Sequence, residues 1–212
     1  MHKALALYSG GLDSLLSVLI VKEQKVDVIA LKFLTGFVSP LKEDDFNYAK
    51  QFDFEIREID IREKFIGILK NPKHGYGKNL NPCIDCKILM LKEARELMLD
   101  YKASFIITGE VISQRPMSQK KELLTVIEKE SSLQGMILRP LSAKLLPPTK
   151  FEIEGIINRN LLYDISGRTR RLQIALAKKY GIEEIPQPAG GCLLTDPSFC
   201  KKVKDLMVHN EL

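Results

Sequence analysis

The chain has 212 residues and a formal net charge of +5, with 45% hydrophobic and 28% charged residues. This composition is ordinary for a folded globular domain and excludes collagen-like and disordered chains. No stretch approaches the roughly 18 apolar residues of a membrane span, and no secretion signal precedes the first apolar run, so we expect a cytoplasmic protein with no membrane partner. The modest positive charge permits an anionic partner but does not by itself predict nucleic-acid binding.

Strand and helix patterns alternate along the first part of the chain. Short apolar and β-branched runs predict strands at 4–8, 26–34, 54–61, 104–108 and 137–141. Helical spacing of apolar residues predicts helices from about residue 15, at 43–52, at 83–101 and at 118–129. This alternation predicts an α/β fold, a parallel twisted sheet with helices on both faces in the Rossmann-like manner.

The pattern becomes mainly helical after Pro147-Pro148. Helices are predicted at 149–157, capped by Thr149, at 167–180, capped by Ser166 and ended by Gly181, and at 197–209. We therefore divide the chain into an α/β domain, residues 1–140, and a small helical C-terminal extension, residues 141–212, which carries the third cysteine of the site discussed below.

The segment Ser9–Ser14 reads S-G-G-L-D-S and joins the first predicted strand to the first helix. Gly10 and Gly11 let the backbone turn so that consecutive N–H groups can point at one oxyanion. The hydroxyl groups of Ser9 and Ser14 and the positive end of the helix dipole also favour an anion, so the segment predicts a phosphate site. It lacks the lysine of an ordinary P-loop and the third glycine of a dinucleotide fingerprint. The alternative is a glycine turn in which Asp13 and Ser14 only cap the helix.

Four cysteines in a chain without a secretion signal favour a metal or redox role over disulfides. Cys83 and Cys86 form a C-x-x-C pair at the start of a predicted helix, where a thiolate is favoured. Together with Cys192, which follows two glycines, they supply three soft ligands suited to zinc or an iron–sulfur cluster, and the spacing does not choose between these. Cys200 lies on an apolar helix face and is interpreted as packing, with a fourth ligand as the alternative.

Further polar residues are expected near the loop because ligands of such sheets bind beyond the carboxyl ends of the strands. Gly109 and Glu110 follow the fourth predicted strand, and Arg115 lies in the polar turn after them. Arg168 is expected to meet phosphate at its helix start. The alternative for Arg115 is a plain loop start, and the lysine pairs elsewhere are interpreted as solvated helix faces.

The S-G-G-L-D-S segment, at the first strand-to-helix turn, resembles the pyrophosphate loop of the N-type ATP pyrophosphatases, the PP-loop superfamily with the adenine nucleotide α-hydrolase-like fold. Such enzymes cleave ATP to AMP and pyrophosphate while adenylating an oxygen. The resemblance implies ATP and Mg²⁺ as cofactors, with Asp13 holding the cation or positioning the phosphates. It also implies that Ser9, Gly10, Gly11 and Ser14 hold the pyrophosphate. We further expect the nucleotide to contact Leu12, Gly109, Glu110, Arg115 and Arg168.

A PP-loop followed by C-x-x-C and a third cysteine is similar to the tRNA thiolation enzymes. The segments G-E-V-I-S-Q-R-P-M-S-Q and P-A-G-G-C-L-L-T-D-P resemble a short bacterial, thiouridylase-like or 4-thiouridine synthase-like branch of that group. The resemblance implies that Cys83, Cys86 and Cys192 hold a [4Fe–4S] cluster or carry sulfur as persulfide or disulfide. It implies a tRNA substrate, whose uridine carbonyl oxygen is adenylated and replaced by sulfur from a donor protein or sulfide.

The sequence opens on the first predicted strand and the loop, so we expect it to lack the N-terminal tRNA-binding module and the rhodanese-like domain of this group. We therefore expect the grip on tRNA to come from a separate subunit, a homodimer or basic helices, and a C-terminal domain to be missing beyond Leu212. Two alternatives stay open: a different acceptor, in nitrogen transfer or deazaguanine nitrile synthesis with structural zinc, and a non-catalytic ATP-binding subunit.

Overall fold

The computed structural model describes residues 2–115, 118–185, 192–209 and 211. The strands are β1 (Lys3–Leu7), β2 (Asp27–Leu34), β3 (Glu55–Asp60), β4 (Phe105–Thr108) and β5 (Ile137–Leu138). The helices in this part of the chain are α1 (Leu12–Lys22), α2 (Glu43–Gln51), α3 (Arg62–Lys70), α4 (Cys83–Asp100), α5 (Lys121–Glu130), α6 (Lys150–Ile153), α7 (Arg171–Lys179) and α8 (Pro197–Val208). None of these helices is both long and apolar enough to cross a membrane.

The five strands form one sheet in the order β3-β2-β1-β4-β5, and every neighbouring pair is parallel. The chain moves outward from β1 to β3 and then returns to add β4 on the other side of β1. The switch point therefore lies between the carboxyl ends of β1 and β4, where ligands bind in open parallel sheets. The predicted α/β sheet is confirmed.

Helices cover both faces of the sheet, also as predicted. Successive residues of a strand point to opposite faces, so Ala4 and Ala6 of β1 join one apolar core while Leu5 and Leu7 join the other. The first core contains α1 and α7, and the second contains α4 and α5. Because β1 is covered on both sides, its apolar run is continuous rather than alternating.

A third apolar cluster joins α3 to the C-terminal end of the described chain. It contains Phe65 of α3 and Cys200 of α8, with Cys86 and Cys192 packed against it. Two hydrogen bonds hold the same region together: Leu193 N donates to Phe37 O (3.0 Å), and an Asn79 amide donates to Thr195 O (2.8 Å). The cluster thus brings cysteines that are distant in the sequence to one place.

The residues after 140 also contribute to the first core. Leu141, Phe151, Ile165 and Ala177 are buried there together with the residues of β1 and α1. The segment as far as α7 is therefore packed on the sheet. The division of the chain at residue 140 stays a prediction.

Two predicted helix ends, the start of α6 and the end of α7, agree with the structure because capping residues determine them. Thr149 caps α6 as predicted, since its hydroxyl accepts from Glu152 N (3.4 Å) while the Glu152 carboxylate accepts from Thr149 N (2.7 Å). Gly181, with φ of +70°, follows the last turn of α7 and ends it.

Other predicted limits are wrong for reasons that involve tertiary contacts. Helix α7 begins at Arg171, because Ser166 forms a backbone bridge to Ile112 and Gly167 N donates to Ile112 O (2.8 Å). Helix α5 begins at Lys121 rather than at residue 118, and α6 and β5 are shorter than predicted. Helix α3 has no predicted counterpart.

Candidate nucleotide and thiol site

The Ser9–Ser14 loop connects β1 to α1 at the switch point, where the sequence predicts it. Gly10 has φ of +78°, a backbone conformation that favours glycine, and a Cβ atom there would lie in tight contact, 3.0 Å from Asp45 Oδ1. Gly11 is the N-cap of α1. The free N–H groups at the helix start and the positive helix end therefore lie at this loop, which favours an anion.

The two serines of the loop hydrogen-bond within it. Ser14 Oγ donates to Gly11 O (2.7 Å) and accepts from Ser9 N (3.2 Å). Ser9 Oγ lies 3.2 Å from Ser14 Oγ and accepts from Gly11 N (3.3 Å). These bonds hold the loop in a compact turn with both hydroxyl groups on it.

Asp13, in the first turn of α1, has one satisfied and one unsatisfied carboxylate oxygen. Oδ2 accepts from the Gln114 side-chain amide (3.0 Å), whereas Oδ1 is buried and has no hydrogen-bond partner among the described residues. A buried carboxylate oxygen without a donor is costly, and a hard cation such as Mg²⁺ would satisfy it. Asp13 therefore fits the cation role. Leu12 instead buries its side chain completely in the first core.

Gly109 packs directly beneath the loop. A Cβ atom on Gly109 would lie 2.6 Å from Ser14 N and 2.7 Å from the carbonyl carbon of Asp13. Only glycine allows the end of β4 to approach the start of α1 this closely. Gly109 therefore supports the backbone of the loop from the β4 side.

Glu110 is fully buried and lies among cations. Its carboxylate accepts from Thr108 Oγ1 (2.9 Å) and Arg139 Nε (3.0 Å), and Lys87 Nζ lies 3.7 Å from Oε1. Burial alone raises the pKa of Glu110, but Lys87 and Arg139 hold it below its usual value. Arg139 also pairs with Glu128. Sequence reasoning missed Lys87 and Arg139; a direct contact of Glu110 with nucleotide stays a prediction.

Arg115 and Arg168 are exposed on neighbouring segments of the same edge. The backbone around Arg115 is held by Gln119, whose side-chain oxygen accepts from Arg115 N (3.0 Å); Pro116 and Met117 lie outside the described residues. The Ile112–Ser166 bridge brings the chain before Arg168 beside the residues that follow β4. Arg168 precedes α7 by three residues, so the expectation that it lies at a helix start is wrong.

Two of the three predicted cysteines, Cys86 and Cys192, pack against the third cluster, and Cys83 lies about one helical turn before Cys86 on α4. Cys83 and Cys86 begin α4, as predicted, and Cys192 immediately precedes a 3-10 turn at Leu193–Thr195. The thiols influence one another: Cys83 and Cys192 both raise the pKa of Cys86, and Cys83 raises that of Cys192. Gly190 and Gly191 lie outside the described residues.

Burial dominates the acidity of these thiols. It raises the pKa of Cys83, Cys86 and Cys192, that of Cys86 to about 12, while Arg115 and Lys87 act in the opposite direction on Cys83. The expected preference for thiolate at the helix start is therefore overridden. Cys200 is buried, and its Sγ donates to Leu194 O (3.1 Å), which agrees with a packing role.

The arrangement of the thiols can be compared with the prediction that they bind an iron–sulfur cluster or zinc. Among residues 2–115, 118–185, 192–209 and 211, no three His, Cys, Asp or Glu side chains are grouped so as to hold a metal ion. As placed, the three cysteines do not fit a ligand set.

The thiols and the loop lie at the same edge of the sheet. Lys87 follows Cys86 directly, and its contact with Glu110 joins the first turns of α4 to the residues after β4. Gly109, the neighbour of Glu110, contacts the loop. The arrangement can therefore combine an anion site, a cation ligand and reactive sulfur.

Comparisons with known proteins give a consistent picture. The profile of the ThiI family, described as thiamine biosynthesis protein (ThiI), matches residues 1–184. A probable tRNA sulfurtransferase of Thermococcus kodakarensis is 26% identical over 148 residues, which are 66% of this chain and 36% of that protein. The tRNA-specific 2-thiouridylase MnmA of Syntrophomonas wolfei is 30% identical over 110 residues, 48% of this chain and 32% of that protein. The chain spans about a third of the length of these curated relatives.

One solved structure is similar over nearly the whole chain. A 4-thiouridine synthetase in complex with RNA and with bound ATP superposes with a TM-score of 0.55 at 20% identity, covering 99% of this chain and 52% of that one. At this identity the similarity shows the fold. It agrees with the parallel α/β sheet described above.

Proposed function

Because the chain belongs to the ThiI family, we propose that it is an ATP-dependent tRNA sulfurtransferase. In this proposal it adenylates a uridine carbonyl oxygen, releases pyrophosphate, and replaces the oxygen by sulfur. The observation that supports it most is the glycine loop with the unsatisfied Asp13 carboxylate, located at the same sheet edge as three neighbouring thiols. The names of the curated relatives and the ATP and RNA of the solved neighbour support the same reading.

In the first step, the loop holds the two outer phosphoryl groups of ATP. The N–H group of Gly10 and the free N–H groups at the start of α1 would donate to the pyrophosphate, which leaves the α-phosphorus open to the substrate oxygen. Mg²⁺ on Asp13 Oδ1 would offset the negative charge of the phosphates. The loop thus acts by orienting the nucleotide and stabilising the departing pyrophosphate.

In the second step, AMP is the leaving group. A persulfide on one of Cys83, Cys86 and Cys192 attacks the activated carbon, and AMP departs with the former carbonyl oxygen. A second thiolate then attacks the inner sulfur, which leaves the thiocarbonyl on the uridine and a disulfide on the protein. A sulfur donor protein supplies the persulfide and a thiol reductant reopens the disulfide; sulfide as the donor would need no second thiol.

The positive charges of Arg115 and Lys87 lower the pKa of Cys83 and so favour its thiolate form. Their presence matters because burial would otherwise keep the thiols protonated and weakly nucleophilic. We propose that tRNA is bound by a separate subunit, by a second copy of the chain or by the basic helices.

The test is pyrophosphate release from ATP by the purified protein, with and without tRNA, combined with analysis of tRNA for thionucleosides. AMP and pyrophosphate with sulfur in the tRNA support the proposal. Formation of ADP, or nucleotide binding that survives unchanged when Gly10 and Gly11 are replaced, contradicts it. Tight ATP binding without AMP favours the non-catalytic subunit, and AMP without sulfur in the product favours another acceptor.

Iron and zinc quantification after anaerobic purification tests the thiol route separately. Full activity, assayed with Mg²⁺, of a protein that contains no iron and no zinc supports persulfide chemistry. Activity that requires stoichiometric iron and sulfide contradicts it and favours the cluster.

A further inference from the structure

Lys32, a buried lysine of β2, contacts the Ser9–Ser14 loop. Lys32 is only 7% exposed, and its Nζ donates to the backbone oxygen of Ser9 (2.8 Å). Beside it, Tyr8 N donates to Leu31 O (2.9 Å), which continues the β1–β2 ladder up to the point where the chain leaves the sheet. Lys32 therefore reaches from the end of one strand to the first peptide of the loop that follows its neighbour.

Burial and the neighbouring carboxylates act on the pKa of Lys32 in opposite directions, and burial is the larger effect. Burial lowers the pKa of Lys32, Asp45 and Glu58 raise it, and Lys42 lowers it further. Glu58 is its register partner on β3. A buried cation is costly unless polar partners compensate it, and the hydrogen bond to Ser9, with the nearby charges of Asp45 and Glu58, offsets part of this cost.

The bond to Ser9 has a geometric consequence for the loop. In a trans peptide the C=O and N–H groups point in opposite directions. Because Lys32 holds the carbonyl of the Ser9–Gly10 peptide, the N–H of Gly10 points away from Lys32. The positive φ of Gly10 then carries the chain on to Gly11 and the helix start.

We propose that Lys32 is a positioning residue of the nucleotide site, which holds the Ser9 carbonyl so that the N–H groups of the loop face the outer phosphoryl groups of ATP. This inference rests on the proposed function, because it needs ATP to bind at the loop. Lys32 acts through the backbone of the loop and not by touching the reacting atoms.

The experiment compares the affinity of the wild type and of Lys32→Met for ATP and for AMP, each with Mg²⁺, by isothermal titration. We expect ATP to bind at least about tenfold more weakly to Lys32→Met, because a hydrogen bond from a charged donor is lost. AMP lacks the outer phosphoryl groups, so its affinity is expected to stay within about twofold. A purely structural role would weaken both nucleotides in parallel and would overturn the inference.

Two further variants separate orientation from charge and from misfolding. Lys42→Met removes the exposed lysine of the same charge cluster and should leave both affinities unchanged; a loss of ATP affinity equal to that of Lys32→Met would contradict the inference. In Lys32→Met/Asp45→Asn the uncompensated carboxylate is also removed. ATP affinity that remains low in this double variant supports orientation, whereas its full recovery shows that Lys32 only balances charge.

The failures of the two proposals are distinguishable. If the wild type binds no ATP, the proposed function fails. If the wild type binds ATP and Lys32→Met binds it equally well, only the role of Lys32 fails. Thermal unfolding without nucleotide verifies that each variant is folded before titration, and Lys32→Arg, which keeps a cationic donor, is expected to recover part of the ATP affinity.

Discussion

Replacing Gly109 by alanine is expected to displace the Ser9–Ser14 loop. The added Cβ would lie 2.6 Å from Ser14 N, 2.7 Å from Ser14 Cα and 2.7 Å from the carbonyl carbon of Asp13. All three are backbone atoms, so no side-chain rotation can relieve the overlap. The end of β4 and the start of α1 must move apart instead.

The size of the effect follows from this geometry. Ordinary van der Waals contact begins at 3.4 Å, so the closest pair must separate by about 0.8 Å from 2.6 Å. Overpacking of this kind costs about 1–3 kcal/mol of unfolding free energy. A displacement of about 1 Å in groups that orient a substrate can cost about 100-fold in rate. We therefore expect Gly109→Ala to lose about 1–3 kcal/mol and about 100-fold in pyrophosphate release.

Urea unfolding and a coupled assay of pyrophosphate release measure the two effects. Gly67→Ala is the matched control, because Gly67 lies inside α3 and a Cβ there meets nothing within 4 Å. The control should gain about 0.5–1 kcal/mol from helix propensity and release pyrophosphate at the wild-type rate. Gly109→Ala with wild-type stability and a rate within about twofold of the wild type would refute the reasoning.

Four other substitutions test the site. Asp13→Asn should reduce pyrophosphate release at least about 100-fold and abolish its Mg²⁺ dependence, measured by Mg²⁺ titration, without lowering the unfolding free energy; an unchanged Mg²⁺ response would contradict it. Glu110→Gln leaves Arg139 short of an anion and should cost about 3–5 kcal/mol at pH 7. Because the folded pKa of Glu110 lies below 4.5, its stabilisation is present above that pH and disappears as pH falls through the folded value, so urea unfolding should show the variant and wild type converging in acid. Cys83→Ser should abolish thionucleoside formation, detected by mass spectrometry, and retain pyrophosphate release, whereas Cys200→Ser should retain both.

Local signals account for the parts of the fold that the sequence predicted. The β-branched run of β2 and the apolar run of β1 identify strands by composition, and their alternation with helices implies parallel pairing. The glycines of Ser9–Ser14 identify a turn by backbone freedom, and the preceding strand locates that turn at the carboxyl edge. Each of these inferences needs only residues that are close together in the chain.

Contacts between distant residues account for what was missed. Lys32 contacts Ser9, and Arg139 contacts Glu110, without any local pattern that marks either cation as part of the site. Ser166 looks like a helix cap, but its backbone bridges to Ile112. The thiol of Cys86 lies at a helix start, which favours ionisation, yet burial beside the third cluster raises its pKa to about 12.

The Ser9–Ser14 loop is contacted by residues of the two strands that flank β1. Its conformation therefore depends on residues outside its own six positions. Lys32 at the end of β2 holds its first peptide, and Gly109 at the end of β4 touches its last residues. Glu110, directly after Gly109, contacts Lys87 next to Cys86. Two consecutive residues after β4 therefore connect the backbone of the loop to the helix that carries the thiols. A shift of this segment would move the loop and the thiols relative to one another. In the proposed reaction, the packing at the end of β4 would therefore affect whether adenylation and sulfur transfer act on one substrate atom.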